Sequence, residues 1–110
     1  MADAELTLWQ GDLLPCPRRR LFGANGVTVD LTDCTVYFRL TKDDVTIFEK
    51  QAIVEGNPKL GIARYVWQVG DTDEHGLFEA EWIVVKNGKP MTLPGRRTNR
   101  IRINQAPASS

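Results

Sequence analysis

Side-chain chemistry needs groups that exchange protons, attack or bind a metal, held close together and away from water. The chain offers few of them. His75 is its single histidine and stands in the acidic stretch Asp71-Thr72-Asp73-Glu74-His75-Gly76 with no nucleophile beside it, which reads as an exposed loop histidine. Cys16 and Cys34 lie far from that histidine in sequence and are not spaced as Cys-x-x-Cys, so they suggest neither a thiolate–imidazole pair nor a zinc site. Both are expected as reduced thiols, with a single bridge as the alternative. Glu79 and Glu81 fall on one face of a strand, about 7 Å apart at the rise of a strand, a separation that glycosidases also use. Acids alternating along a solvated strand face are equally the ordinary product of amphipathic patterning, and that is the preferred reading. Asp71, Asp73 and Glu74 lack the full ligand spacing of a calcium loop and are read instead as caps of a short helical turn. No Gly-rich phosphate loop, Gly-x-Ser-x-Gly elbow or His-Glu-x-x-His helix is present. The residues therefore predict no catalytic group, no cofactor, no metal site and no small-molecule substrate.

Positive charge is placed more pointedly. Arg18, Arg19 and Arg20 make one cluster and Arg96, Arg97, Arg100 and Arg102 a second, while acids concentrate between Asp71 and Glu81. These arginines are the candidate interaction patch. With 14 basic and 14 acidic residues the formal net charge is zero, which removes the overall positive field of a general nucleic-acid binder. If the fold keeps the clusters apart, a neutral chain with opposite-sign surfaces can associate with copies of itself or with a charged neighbour. The plainer alternative is a set of solvated loops with scattered local pairs. Contact with nucleic-acid phosphate is disfavoured, because no aromatic side chains interleave with the arginines as a stacking platform requires.

The elements that must position these residues follow from a hydrophobic period of two. Val36, Phe38 and Leu40 alternate with Thr35, Tyr37, Arg39 and Thr41; Phe78, Ala80, Trp82 and Val84 alternate with Glu79, Glu81, Ile83 and Val85; Ala63, Tyr65, Trp67 and Val69 alternate with Arg64, Val66 and Gln68. Each is a half-buried strand. Leu6 and Leu8, and Ile101 and Ile103, are shorter runs of the same kind. Lys86-Asn87-Gly88-Lys89 predicts a tight hairpin into a short strand from Pro90 to Leu93, and Ala24-Asn25-Gly26 reads likewise. Glu55-Gly56-Asn57-Pro58 punctuates the chain before a strand from Gly61 to Val69. No window sustains a helical stripe over several turns.

Roughly seven or eight short strands without crossover helices predict an all-β, antiparallel two-sheet sandwich, with a small barrel as the alternative. Trp67, Trp82, Phe38, Tyr65 and Phe78 are expected to fill the space between the sheets. The expected domain is a single sandwich over residues 1–104, followed by a flexible tail over 105–110. A length of 110 residues suits one self-sufficient core. No apolar run approaches the ~20 residues of a membrane span, and the acidic start Met1-Ala2-Asp3-Ala4-Glu5 does not resemble a signal peptide, so neither export by that route nor anchoring is expected.

Several segments, in order, carry a family resemblance. They are Leu6-Thr7-Leu8-Trp9-Gln10-Gly11-Asp12; the turn at Asn25-Gly26; Val29-Asp30-Leu31-Thr32-Asp33-Cys34-Thr35-Val36-Tyr37-Phe38-Arg39-Leu40; Gly61 to Trp67 before Asp71-Thr72; and Gly76-Leu77-Phe78-Glu79-Ala80-Glu81-Trp82 followed by Asn87-Gly88 and Thr92-Leu93-Pro94. Together they resemble the immunoglobulin-like domain at the N-terminus of tailed-phage baseplate upper proteins and related virion proteins. Asp33 and Cys34 depart from that pattern, standing where a glycine-containing turn is usual. The resemblance runs from about Glu5 to Asn104. It implies a structural role in a tail, baseplate or head–tail assembly of a phage or prophage, with other virion proteins or copies of the chain as partners and no catalytic residues to transfer. It also implies a place in the host bacterial cytoplasm during assembly and in the virion afterwards. Pro90, Pro94 and the arginine-rich final strand read as edge protection or as a docking strip. A carbohydrate-binding or adhesive module is the competing reading, with Trp9 or Tyr37 stacking on sugar rings. A small hydrolase would need converging acids or a Cys/His pair, which the sequence gives no reason to expect.

Overall fold

The computed structural model describes residues 5–23, 25–93 and 99–106. Nine strands form, and no α-helix is found among the described residues: β1 (Glu5–Trp9), β2 (Arg18–Arg20), β3 (Thr35–Lys42), β4 (Val45–Gln51), β5 (Ile53–Val54), β6 (Ile62–Arg64), β7 (Gly76–Lys86), β8 (Lys89–Leu93) and β9 (Asn99–Asn104). They build a six-stranded sheet in the order β1-β9-β7-β3-β4, with β8 also on β7, and a three-stranded sheet in the order β2-β6-β5. The all-β expectation holds, with nine strands where the spacing predicts seven or eight.

The large sheet is mixed rather than antiparallel throughout, since β1 pairs in parallel with β9 from Glu5 opposite Arg100 to Trp9 opposite Asn104. Alternation reveals which face a strand buries but not the direction in which it runs. β7 is the spine. It pairs with β3 on one side, and on the other with β9 through Gly76–Ala80 and with β8 through Trp82–Lys86. The Asn87-Gly88 hairpin forms as its sequence demands, with both residues at positive φ (53° and 75°).

Three strands, β2, β4 and β5, escape the sequence reading; β5 is only the two residues Ile53–Val54, too short to show a period. Asp43 and Asp44, both at positive φ (52° and 64°), turn β3 into β4 without a glycine. Short polar side chains tolerate the left-handed region, but that signal is much weaker than Asn-Gly. β2 is hidden because three consecutive arginines show no hydrophobic period. Conversely, the strand expected from Gly61 to Val69 has regular pairing only over Ile62–Arg64. Burial still alternates beyond it, with Tyr65 and Trp67 inward and Val66 and Gln68 outward, and the Tyr65 backbone N–H donates to Pro17.

The core lies between the sheets. Phe38, Tyr65, Trp67, Phe78 and Trp82 are all at most 3% exposed. Phe38 and Tyr65 stack across the gap at 4.7 Å, and Trp67 and Trp82 meet Phe38 edge-on at 5.9 and 5.0 Å. Such pairs each contribute about 0.5–1.5 kcal/mol beyond the area they bury. Gly61, at φ 70°, presses on the segment Thr28–Val29, where a Cβ would come within 2.6 Å of the Val29 carbonyl oxygen. Only glycine fits there.

One buried carboxylate ties the sheets together. Asp71 accepts from the Tyr65 hydroxyl at 2.5 Å and the Gln68 backbone N–H at 2.8 Å, and its other oxygen lies 2.6 Å from Lys50 Nζ. The acid expected to cap a helical turn is therefore an anchor in a non-helical turn, with its side chain only 3% exposed. Lys50 points to the core side of β4 at the open margin of the large sheet, its amine 5.0 Å from the Phe48 ring centre. An inward charge on an edge strand discourages another strand from adding there. At the adjoining end of the sandwich, Thr72 Oγ1 donates to the Asp12 carbonyl, Trp67 Nε1 to the Pro15 carbonyl and Ala106 N to Gln10 Oε1, so three loops are bound to one another.

Candidate docking surface

The arginines of β2 are divided by the pleat. Arg18 and Arg20 are exposed on the outward side of the small sheet, while Arg19 shares the inward side with its fully buried register partner Ala63. Opposite Arg18 stands Arg64 of β6, and beside it Ile53 of β5. Arg18 Nε donates to Glu55 Oε1 at 2.6 Å, and Arg64 Nε lies 3.5 Å from Glu55 Oε2. One carboxylate thus serves two guanidiniums, and the buried Arg64 Nε has no hydrogen-bond partner among the described residues. Arg20 adds a third positive charge with no ion pair among the described residues. Around these charges lie Phe22, Ile53 and Val66, which are 48%, 44% and 42% exposed. The outward face of the small sheet is therefore part apolar and carries a surplus of two positive charges.

The outward face of the large sheet settles its charges internally. Arg39 donates from Nε to Glu49 at 2.9 Å and from Nη1 to Glu81 at 3.1 Å. The Glu49 hydrogen bond, with smaller help from Glu81, holds the Arg39 pKa above its ordinary value. In neighbouring rows Arg100 lies opposite Glu79, and Arg102 opposite Leu77. Glu79 and Glu81 of β7 and the arginines of β9 therefore occupy adjacent strands, while Asp71, Asp73 and Glu74 lie in the turn before β7, so those acids and arginines do not form two separate surfaces of opposite sign. Nor is β9 an edge strand, because β1 covers it. Pro90 does lie at an edge, on β8, where a missing N–H leaves no ladder bond unmade. Arg96, Arg97 and Pro94 lie outside the described residues. Of the candidate arginines, then, Arg18, Arg19 and Arg20 sit on one sheet and Arg100 and Arg102 on the other.

The residues weighed for chemistry do not converge. His75 is exposed, and its carbonyl accepts from Lys42. Glu79 is exposed on the outward sheet face, while Glu81 is held by Arg39. Cys16 and Cys34 are free thiols packed against the core margin. Among the described residues no group of three or more His, Cys, Asp or Glu side chains is arranged to hold a metal. Burial, followed by the hydrogen bond to Asp71, raises the Tyr65 pKa far above 10.0, so this phenol is a structural donor. Trp9 is 50% exposed at the margin of the large sheet, whereas Tyr37 is half-buried between Gln51 and Ile83, and β9 and β7 separate the two rings. They do not share a platform for a sugar.

Arg64 and Glu55 were not evident as members of this surface, since only strand pairing brings them to Arg18. The exposed acidic turn Asp43-Asp44 was likewise hidden with its strand. No helix among the described residues is long and apolar enough to cross a membrane.

The two-sheet, all-β architecture does not by itself assign a role, and comparison with known families supplies the class. The model of the BppU N-terminal domain, from the phage baseplate upper protein, matches residues 23–97, and the chain belongs to that family. The family is a structural domain of phage baseplates and implies interaction with other virion proteins. A search of curated proteins finds no match. The matched stretch includes β3 to β8 and leaves out β1, β2 and β9, so Arg64 and Glu55 lie within it and Arg18–Arg20 outside.

Proposed function

We propose that the chain is a non-enzymatic structural protein of a tailed-phage or prophage virion, an immunoglobulin-like sandwich that docks to other virion proteins or to copies of itself through its arginine-bearing surfaces. Family membership over residues 23–97 is the observation that carries this reading. The two facing sheets with an aromatic core between them support the immunoglobulin-like description. On this reading the sandwich of residues 1–104 acts as one unit with a short tail. It is made in the bacterial cytoplasm and ends in the particle, within the tail, the baseplate or the head–tail joint.

Docking falls to the outward face of the small sheet. Arg18, Arg20 and Arg64 outnumber Glu55 there, and half-exposed apolar side chains lie beside them, the mixture that protein interfaces use. The test is mass spectrometry of particles purified from the phage or prophage that carries this reading frame. The chain is expected in stoichiometric amount, and the variant Arg18→Gln/Arg20→Glu at less than a tenth of that amount. Particles that are complete and infectious without the chain would refute the structural role.

A further inference from the structure

The tip of the β3–β4 hairpin is the chemical complement of the small sheet's outward face. Asp43 and Asp44 are exposed at the turn and make no ion pair among the described residues. The neighbouring cation, Lys42, is committed elsewhere, because its Nζ lies 3.2 Å from Glu74 and donates to the His75 carbonyl. Beside the two acids, Val45 and Ile47 are 62% and 38% exposed. The hairpin tip thus offers two carboxylates and two apolar side chains. The face described above offers a surplus of two positive charges and the half-exposed Phe22, Ile53 and Val66.

Within one molecule these surfaces cannot meet. β4 runs for seven residues from Val45 to Gln51 before the chain crosses through Ala52 to β5, which places the tip about 23 Å from the small sheet at ~3.3 Å per residue. We infer that the hairpin tip of one copy docks onto the small-sheet face of a second copy, Asp43 and Asp44 against Arg18, Arg20 and Arg64. Two different surfaces meet, so the contact is head-to-tail and propagates into a ring or a row of subunits. A hairpin tip buries less than the ~1,200–2,000 Å² of a stable pair. The single contact is therefore weak, and a crowded or ring-shaped assembly supplies the rest. The inference deepens the docking reading by naming the partner of that face.

The test uses the purified chain in sedimentation velocity over a concentration series up to about 1 mM, at low and high salt. The wild type is expected to self-associate at low salt and less so at high salt. Asp43→Asn/Asp44→Gly writes the preferred Asn-Gly turn while removing both carboxylates, and Arg18→Gln/Arg20→Glu removes the positive surplus. Each variant alone is expected to associate at least about tenfold more weakly. Mixed, they are expected to form a one-to-one pair and nothing larger, because only the first retains a basic face and only the second an acidic tip. Circular dichroism confirms that both fold; should the turn variant not fold, Asp43→Asn/Asp44→Asn takes its place. A wild type that stays monomeric throughout, or variants that associate as it does, would overturn the inference. Monomeric wild type combined with poor incorporation of the arginine variant into particles would assign the face to a different virion protein, leaving the docking role intact.

Discussion

In the large sheet the eleven-residue β7 is paired along most of its length on both sides, whereas the small sheet joins strands of three, two and three residues. The first is held by its ladder and by charges that neutralise one another across neighbouring strands. The second is too short to stand on pairing alone, and it keeps its place through contacts outside the ladder. Tyr65 and Trp67 continue from β6 into the core, Asp71 gathers Tyr65, Gln68 and Lys50, and Gly61 presses against Val29. Anchoring by side chains frees the small sheet's outer surface from structural duty. Its unpaired arginine is then available for partners, while Arg39 on the other sheet is spent within the molecule.

The sharpest way to break this contrast is Asp71→Ala. It leaves the Tyr65 hydroxyl and the Gln68 N–H without their acceptor and is expected to cost about 3 kcal/mol in urea unfolding. A loss under 1 kcal/mol would mean that the anchor is dispensable. Next comes Tyr65→Phe, at about 1.5–3 kcal/mol, with a pH signature. The folded-state pKa of Tyr65 lies above the ordinary 10.0, so its stabilisation is fully present below pH 10 and is lost as pH rises toward the folded value. The phenylalanine variant should lack this part of the alkaline decline, and an unchanged slope would remove Tyr65 from the account. The smallest effect belongs to the large sheet: Arg39→Ala is expected to cost about 0.5–1 kcal/mol, since the ladder remains when one exposed ion-pair row is cut. A cost equal to that of Asp71→Ala would erase the distinction between the sheets.

Much of the large sheet was legible because its core-facing residues alternate along each strand, although Ile83, on the outward face of β7, is buried as well where that pattern predicts an exposed position. Val36, Phe38 and Leu40 face Phe78, Ala80, Trp82 and Val84 across β3 and β7, and each inward position could be named from its neighbours alone. The candidate surface was only half legible. Arg18 and Arg20 could be singled out as charge, but whether a run of arginines is a loop or a strand depends on the backbone it pairs with. Arg64 looked like the polar position of an amphipathic strand, and no local pattern ties it to Glu55. The second arginine group misled for the same reason, because its surroundings are set by Glu79 on a strand some twenty residues away. Asp71 had the appearance of a cap, and only the arrival of Lys50 and Tyr65 from other segments makes it an anchor.

The parallel alignment of the first and last strands bears on mechanics. Tension applied through residues 5 and 104 drags β1 and β9 lengthwise in opposite directions, straining their shared rungs simultaneously instead of peeling them open singly. Rupture under load is governed by the rate of crossing a barrier, and a shear arrangement makes that barrier high. A module strung between neighbours in a contracting or jolted machine would hold fast with this wiring.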